Sequence, residues 1–549
     1  MPANLRACLD RPLLLLSVFL LGLYLLTMAG RLTSGDGETV YQTTKAIITQ
    51  GTLRVPTRPE TAVGRGGYSY GKYGLGQSVV QAPFFVAGHG VEKLMGTGDD
   101  RLTRFLVGMT NSAVSVALVT VFWLLARALG ATPRVATVAG LVLGLCTLVW
   151  PYARADFSEP LQASAALTTF YGLVRWRQAP AKRWAALAGI AAGAAFHTKA
   201  ASLVVLLPLA GYFIVAAWRY IIRAGRMRVV LESSIVAFAP FLLCGLFQAG
   251  LNYYRFGKLT EFGYGDEPAT GFTTPILVGV HYLLFSTGKG LILFAPPVLL
   301  GMAGLAMFRR RHGLEASTAA LVFLAELLYF ARWWAWHGDW SWGPRYLYIA
   351  VPFLLLGWLP FLSGWKRRAL PLKAIAVSLA GAGLIVSFLG IAIDYGGYYS
   401  IVGSQIGRGV DVKEARLVPQ FSPILGHAWL ARASLYEALK GNRNYAPGAE
   451  QHAARSNPFL AEHPWAESHP HLTPEAPERA LGFDFWFAAL RGRTPFLEYW
   501  CSLAALWLAV SLVPLGYRLW GTIREDMNPA IDARMVPRER QRRMETVAV

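Results

Sequence analysis

Acidic residues and cysteines are what this chain is short of. Its 549 residues hold 32 Asp and Glu against 52 Lys and Arg, and only 4 cysteines. Cys8, Cys146, Cys244 and Cys501 each lie in or beside an apolar run, and none forms a CxxC pair. That usage argues against both a disulfide framework and a thiolate metal site. Charge of either sign is scarce: 15% of residues are charged, where a soluble protein carries roughly a quarter. No internal repeat of the inverted-half kind found in many transporters is visible in the sequence.

What is present in quantity is apolar. Hydrophobic residues make up 54% of the chain, with 18 Trp and a mean hydropathy of +0.38. Apolar runs of about 18 to 22 residues recur, each long enough to cross a ~30 Å hydrocarbon core as a helix. The expected fold is therefore an all-α polytopic membrane protein with about twelve transmembrane helices. The spans are expected near 12–30, 105–126, 134–152, 160–176, 184–198, 201–218, 229–250, 290–308, 314–331, 345–362, 373–393 and 497–519. The first run reads as a retained span and not as a cleaved signal.

The net charge of +20 follows this pattern. Basic clusters fall between apolar runs, as in RWRQAPAKRW from Arg175, RYIIRAGRMR from Arg219, RRRHG from Arg309 and WKRRALPLK from Trp365. By the positive-inside rule these loops and both termini are cytoplasmic, so the charge sets topology and implies no nucleic-acid partner. The long connections then face outward. They are 30–104, which includes an interfacial helix at QAPFFVAGHGVEKLM, then 252–289, then 394–496. The expected organisation is a transmembrane module over 1–393, an extracytoplasmic loop or small subdomain over 394–496, a last span at 497–519 and a basic cytoplasmic tail over 520–549.

Ionisable groups clustered at one membrane face are expensive and tend to be functional. Five outward stretches qualify. SGDGETVY places Asp36 and Glu38 at the exit of the first span, where Asp36 either caps the following helix or acts as a fixed carboxylate. YSYGKYGLGQ holds Lys72 between Tyr70 and Tyr73, either as a snorkelling side chain or as a point charge for a phosphate at headgroup depth. YARADFSEPL carries Arg154, Asp156 and Glu159, and a pairing of Asp156 with Arg154 is the plain reading there. FSTGKGLILFAPP puts Lys289 in a Gly-rich turn at a helix start, a place that suits an anion. ARWWAWHGDWSWGPRYLYIAVP packs His337, Asp339, Arg345 and Tyr346 among tryptophans. A cation such as Arg345 opening a helix asks for an anionic ligand or an acidic partner. Glu326 stands out as one of few acids at membrane depth. The histidines of the third loop (His452, His463, His469, His471) lack a regular metal-ligand spacing.

NYYRFGKLTEFGYG, LLFSTGKGLILFAPP and WHGDWSWGPRYLYIAVP resemble a bacterial group within the GT-C superfamily of integral membrane glycosyltransferases. The acid after the first helix, the interfacial helices of the first outer loop and the acid-rich short loop two spans later match that layout; the 394–496 loop does not. The resemblance implies transfer of a sugar from a polyprenyl-phosphate carrier to a cell-envelope glycan, lipid or protein on the outer face of the cytoplasmic membrane. In relatives of the protein O-mannosyltransferase and aminoarabinose-transferase type, an acid in the first outer loop serves the acceptor. By resemblance that catalytic role falls on Asp36, with Glu38 as neighbour or substitute. Lys72 is comparable to a donor-phosphate lysine of those relatives, without its flanking prolines.

The chemistry suits these residue types. A phosphate-linked sugar has a good leaving group, so what is needed is a base for the acceptor hydroxyl and cations for the departing phosphate. Lys72, Lys289 and Arg345 are the expected phosphate ligands. Tyr70, Tyr73, Asp156, Glu159, His337, Asp339 and Tyr346 are the expected substrate contacts. No metal ligand set is expected, although His337 and Asp339 leave room for a divalent cation. A transporter or flippase, which would need ionisable groups and broken helices near the bilayer midplane, is the alternative from another class. An O-antigen-ligase-like enzyme is the second, and would keep its decisive residues in 394–496.

Overall fold

The computed structural model describes residues 11–338, 340–406, 414–440, 457–489 and 495–525. Asp339, His452 and the basic tail from 526 lie outside the described residues. The chain is an all-α polytopic membrane protein, with a helix at each of the twelve expected spans. Among the described residues six helices are long and apolar enough to cross a membrane by length and composition. They include Met227–Phe256, Gly313–Arg332 and Leu370–Ala392, with shorter apolar helices such as Arg11–Leu26 and Pro297–Phe308 between them.

Several expected spans are not continuous helices. The segment expected at 345–362 is a 3-10 turn Arg345–Leu347, a short helix Val351–Leu354, a second 3-10 turn Leu355–Gly357 and a helix Trp358–Ser363. Pro352 and Pro360 cannot donate into a helical ladder. Gly357 stands backbone to backbone with Gly301 and Gly304, an approach that any Cβ would block. Pro296 and Pro297 likewise divide 290–308 into Leu291–Phe294 and Pro297–Phe308. The run at 134–152 breaks after Leu145 and resumes as Val149–Arg154. The tight pair at 184–218 holds as two helices, Lys182–Thr198 and Leu203–Ala224, joined through Lys199 and one 3-10 turn.

The interfacial helix of the first loop is longer than its apolar core, running Gly76–Met95. A small antiparallel hairpin, Thr61–Val63 with Ser69–Gly71, precedes it. The second loop contains a short apolar helix, Ile276–Phe285, that its length did not announce. Charged groups segregate to the two ends of the bundle. Arg177, Tyr212 and Glu315 meet at one end, while Asp36, Glu159, Lys199 and Arg345 meet at the other.

The third loop folds as helices Tyr395–Gly403 and Pro423–Leu439 around their own apolar cluster, which includes Tyr398, Phe421, Trp429, Leu430 and Trp465. Asp484 anchors it. Its carboxylate, wholly buried, bonds Arg154 on one oxygen and Arg31 at 2.9 Å on the other. The expected Asp156–Arg154 pair is thereby overturned, because Arg154 turns to the loop and Asp156 turns to the first span. Removing one partner of a buried ion pair costs roughly 3–5 kcal/mol. Asp484→Ala is thus expected to lower the unfolding temperature in detergent and to open 457–489 to protease; unchanged values would contradict the anchor.

Candidate active site

The site starts from how the helix Gly35–Gln50 begins. Ser34 caps it, its hydroxyl accepting from the Gly37 amide at 2.9 Å. The cap is therefore not Asp36, as one reading of the sequence had it. Gly37 must lack a side chain because the Asp156 carboxylate occupies the place of its Cβ. Asp156 in turn accepts from the Thr33 amide at 3.2 Å and the Thr33 hydroxyl at 2.6 Å, which pins the chain between the first span and this helix. Burial outweighs those bonds and holds the Asp156 carboxyl above its ordinary value.

Asp36, in the first turn, is left to face the bundle. Its Oδ2 accepts from Arg345 at 3.0 Å, and its Oδ1 accepts from the Tyr73 hydroxyl at 2.6 Å. Burial opposes ionisation of this carboxyl, yet Arg345, Tyr73 and Lys199 more than compensate and hold it below the usual carboxylate range. Glu38, two residues on, is tied elsewhere. Arg104 grips it through both nitrogens of its fork, and Gln42 donates to it at 2.8 Å. The two acids of the opening motif therefore serve different ends.

Arg345 reaches Asp36 from the broken segment. Its Nε also lies 4.0 Å from Glu159. The loop before it is unusual: Gly338 has φ 58° and Trp340 φ 41°, a conformation rare for an aromatic residue and typical of functional loops when it occurs. A side chain at Gly338 would collide with the Arg345 stem. Lys199 completes the group, its Nζ 3.3 Å from Glu159 and 5.4 Å from the centre of the Tyr346 ring. Burial lowers the affinity of Lys199 for its proton, but Glu159 reverses the balance and the ammonium stays charged beyond its ordinary range. Tyr264 lies within electrostatic reach of Lys199, Asp36 and Arg345, and burial pushes its phenol up to about 12. Beside these groups is a small cavity, lined by Glu159, Gln162, Lys199, Glu326, Phe330 and Tyr346 among others.

Of the sequence candidates, Asp36, Tyr73, Glu159, Arg345 and Tyr346 thus meet. Lys72 stands at the margin, its Nζ 5.8 Å from the centre of the Tyr264 ring. Tyr70 packs its ring edge-on against Tyr254 and Phe256. Lys289 is buried and lines a second small cavity with Tyr395, Tyr399 and Arg416. Lys289 also donates to the Ser341 hydroxyl, four residues before Arg345. His337 is buried against Trp336. Lys199 is the residue that sequence reasoning passed over. Its signal was a lone cation in HTKA, where two apolar runs leave no room for a solvated loop.

Among the described residues one group has the spacing of metal ligands, His89, Glu92 and Asp100. Its acids are engaged otherwise: Glu92 accepts from the Thr103 amide at 3.0 Å, and Asp100 pairs with Lys45. Lys45 is about 13 Å along its helix from Asp36, so the group is separate from the site.

No family model and no curated protein matches this chain. Solved structures do. ArnT from Cupriavidus metallidurans bound to undecaprenyl phosphate is 14% identical, with 85% of this chain and 88% of that one covered and a TM-score of 0.45. Archaeal oligosaccharyltransferase AglB from Archaeoglobus fulgidus, in complex with an inhibitory peptide and a dolichol-phosphate, is 12% identical. There 90% of this chain and 68% of that one are covered, at a TM-score of 0.42. At TM-scores below 0.5 the likeness assigns nothing to individual residues, and the chemistry rests on the groups described above.

Proposed function

We propose that this protein is an inverting glycosyltransferase that moves a sugar from a polyprenyl-phosphate carrier to an envelope glycan, lipid or protein. The site would face the outside of the cytoplasmic membrane. The observation that carries this reading is the meeting of a carboxylate and two cations, Asp36 with Arg345 and Lys199, at one end of a helical membrane bundle. A transporter would place such groups around a central pathway, whereas here they crowd one end.

In the proposed step Asp36 takes the proton of the acceptor hydroxyl as its oxygen bonds to the anomeric carbon. The bond from that carbon to the phosphate oxygen breaks, and its electron pair leaves with the carrier phosphate. Arg345 offers a planar fork for that phosphate and Lys199 a point charge. A single displacement of this kind inverts the anomeric centre. Lys72 is placed at the approach to this group and Lys289 at the neighbouring cavity, where each would act on the carrier or the acceptor and not on the breaking bond.

The test is transfer of labelled sugar in proteoliposomes holding the purified protein, a polyprenyl-phosphate sugar and an envelope extract as acceptor. Transfer with inverted stereochemistry is expected. Movement of substrate across the bilayer without transfer would sink the proposal in favour of a transporter. Because Glu38 is committed to Arg104, Glu38→Gln is expected to keep the transfer rate within about tenfold. A loss as deep as that of an Asp36 variant would move the base assignment to Glu38.

A further inference from the structure

The motif NYYRFGKLTEFGYG supplies an arginine that the proposed step does not use. Arg255 lies in the last turn of the membrane-crossing helix Met227–Phe256, with 3% of its surface exposed. A guanidinium so deeply buried is expensive unless its donors find acceptors. Those acceptors are neutral oxygens. Nη1 donates to the carbonyls of Gly71 at 2.8 Å and Tyr73 at 2.9 Å, and Nη2 to Asn252 Oδ1 at 3.0 Å. Asn252 is held in turn, its Nδ2 donating to the Leu259 carbonyl at 3.0 Å and its Oδ1 also accepting from Gln248 at 2.8 Å. The planar fork of an arginine suits several fixed oxygens at once, which a single ammonium does not.

Two of these bonds bear on the site. Each carbonyl belongs to a planar peptide unit, so holding both on one nitrogen fixes the backbone before Lys72 and after Tyr73. The Tyr73 hydroxyl is then brought to Asp36 Oδ1 at 2.6 Å. The same helix end supports the first outer loop a second time, since a Cβ at Gly64 would stand 2.1 Å from the Arg255 carbonyl oxygen. Through Tyr73 the influence reaches the acid, because a donated hydroxyl favours the ionised carboxylate. The other groups that face Asp36 are Arg345 and Lys199, with Tyr264 within electrostatic reach and Asp156 behind Gly37.

We propose that Arg255 is a positioning residue for the transfer reaction. By gripping the backbone at Gly71 and Tyr73 it keeps the Tyr73 hydroxyl on Asp36, and so fixes that carboxylate in the orientation that meets the acceptor hydroxyl. The inference rests on the reading of Asp36 as the base of a glycosyl transfer. Arg255 itself, buried against its three acceptors, touches neither donor nor acceptor.

The experiment titrates Asp36 by infrared spectroscopy in full-length protein carrying isotope-labelled aspartate, with Asp36→Asn as the subtraction. Sugar transfer in proteoliposomes is measured beside it. Arg255→Lys keeps the charge, and with it any long-range effect on Asp36, but loses the fork. Its Asp36 midpoint is expected at higher pH than in wild type, with kcat about three- to tenfold lower. Arg255→Met should move both further; where it does not fold, Arg255→Lys carries the test. In a Tyr73→Phe background the hydroxyl is already gone, so neither substitution should move the midpoint again. The proposal is overturned if Arg255→Lys leaves the midpoint or the rate as in wild type, or if its shift persists in Tyr73→Phe. A raised KM for the donor with an unmoved midpoint would also overturn it, and would put the guanidinium on the carrier phosphate. Absence of transfer by the wild type would bring down the glycosyltransferase reading, while the titrations would still decide whether Arg255 holds Tyr73 on Asp36.

Discussion

Asp36→Asn is expected to reduce sugar transfer on the order of a hundredfold to ten-thousandfold while leaving the protein folded, the range that a positioned general base contributes. The substitution is close to isosteric. Its carbonyl oxygen still accepts from Tyr73, whose hydroxyl now lies 2.6 Å from the carboxylate. Arg345 retains Glu159 as an acidic neighbour at 4.0 Å, so no cation is stranded in the interior. What disappears is the capacity to hold the acceptor's proton. The rate in proteoliposomes, alongside yield and a monodisperse elution profile, checks this. A variant that keeps more than a tenth of wild-type activity would remove Asp36 from the role.

Arg345 carries the second large expected effect, because in the proposed step it would face both the base and the phosphate. Arg345→Lys should retain charge but lose the planar fork, at a cost on the order of tenfold to a hundredfold in kcat/KM, and Arg345→Gln should cost more. The pH profile separates the two duties. As the proposed base Asp36 would work only when deprotonated, and in the free protein its pKa is depressed, with burial outweighed by Arg345, Tyr73 and Lys199 together. The acid limb of kcat/KM, which reports the free protein, should therefore lie below the ordinary carboxylate range. In Arg345→Gln the depressing charge is gone and the limb should move to higher pH. Carrier phosphate bound as proposed would compete for the same guanidinium, so the acid limb of wild-type kcat should lie above that of kcat/KM. Coincident limbs in wild type and Arg345→Gln would show that the ion pair does not tune the base.

Much of the fold was legible because each membrane span is a local feature, set by apolar length and by flanking Lys and Arg. The breaks at Pro296 and Pro352 were also written in the chain, yet hydropathy alone does not register a missing amide donor. The site was only half legible. Asp36 and Arg345 announced themselves as charges at the membrane boundary. That they pair across 309 residues depends on which helices neighbour one another, which no local pattern encodes. The same limit misassigned Arg154, since its nearest acid in sequence is Asp156 and its partner in space is Asp484. Lys199 was hidden by the brevity of its turn, and Glu38 looked equivalent to Asp36 until the helix turned the two side chains in different directions.

The clasp at Asp484 has a further consequence during synthesis. Arg154 waits 330 residues for its carboxylate. At ~5–20 residues per second that interval is roughly 15 to 65 s. Through it the first spans are made and inserted while Arg154 lacks the acid that will neutralise it. An unfinished chain, or one cut before residue 484, therefore keeps an exposed cationic defect at the membrane edge. Such a defect distinguishes incomplete chains from finished ones, and gives quality-control proteases a physical feature to act on.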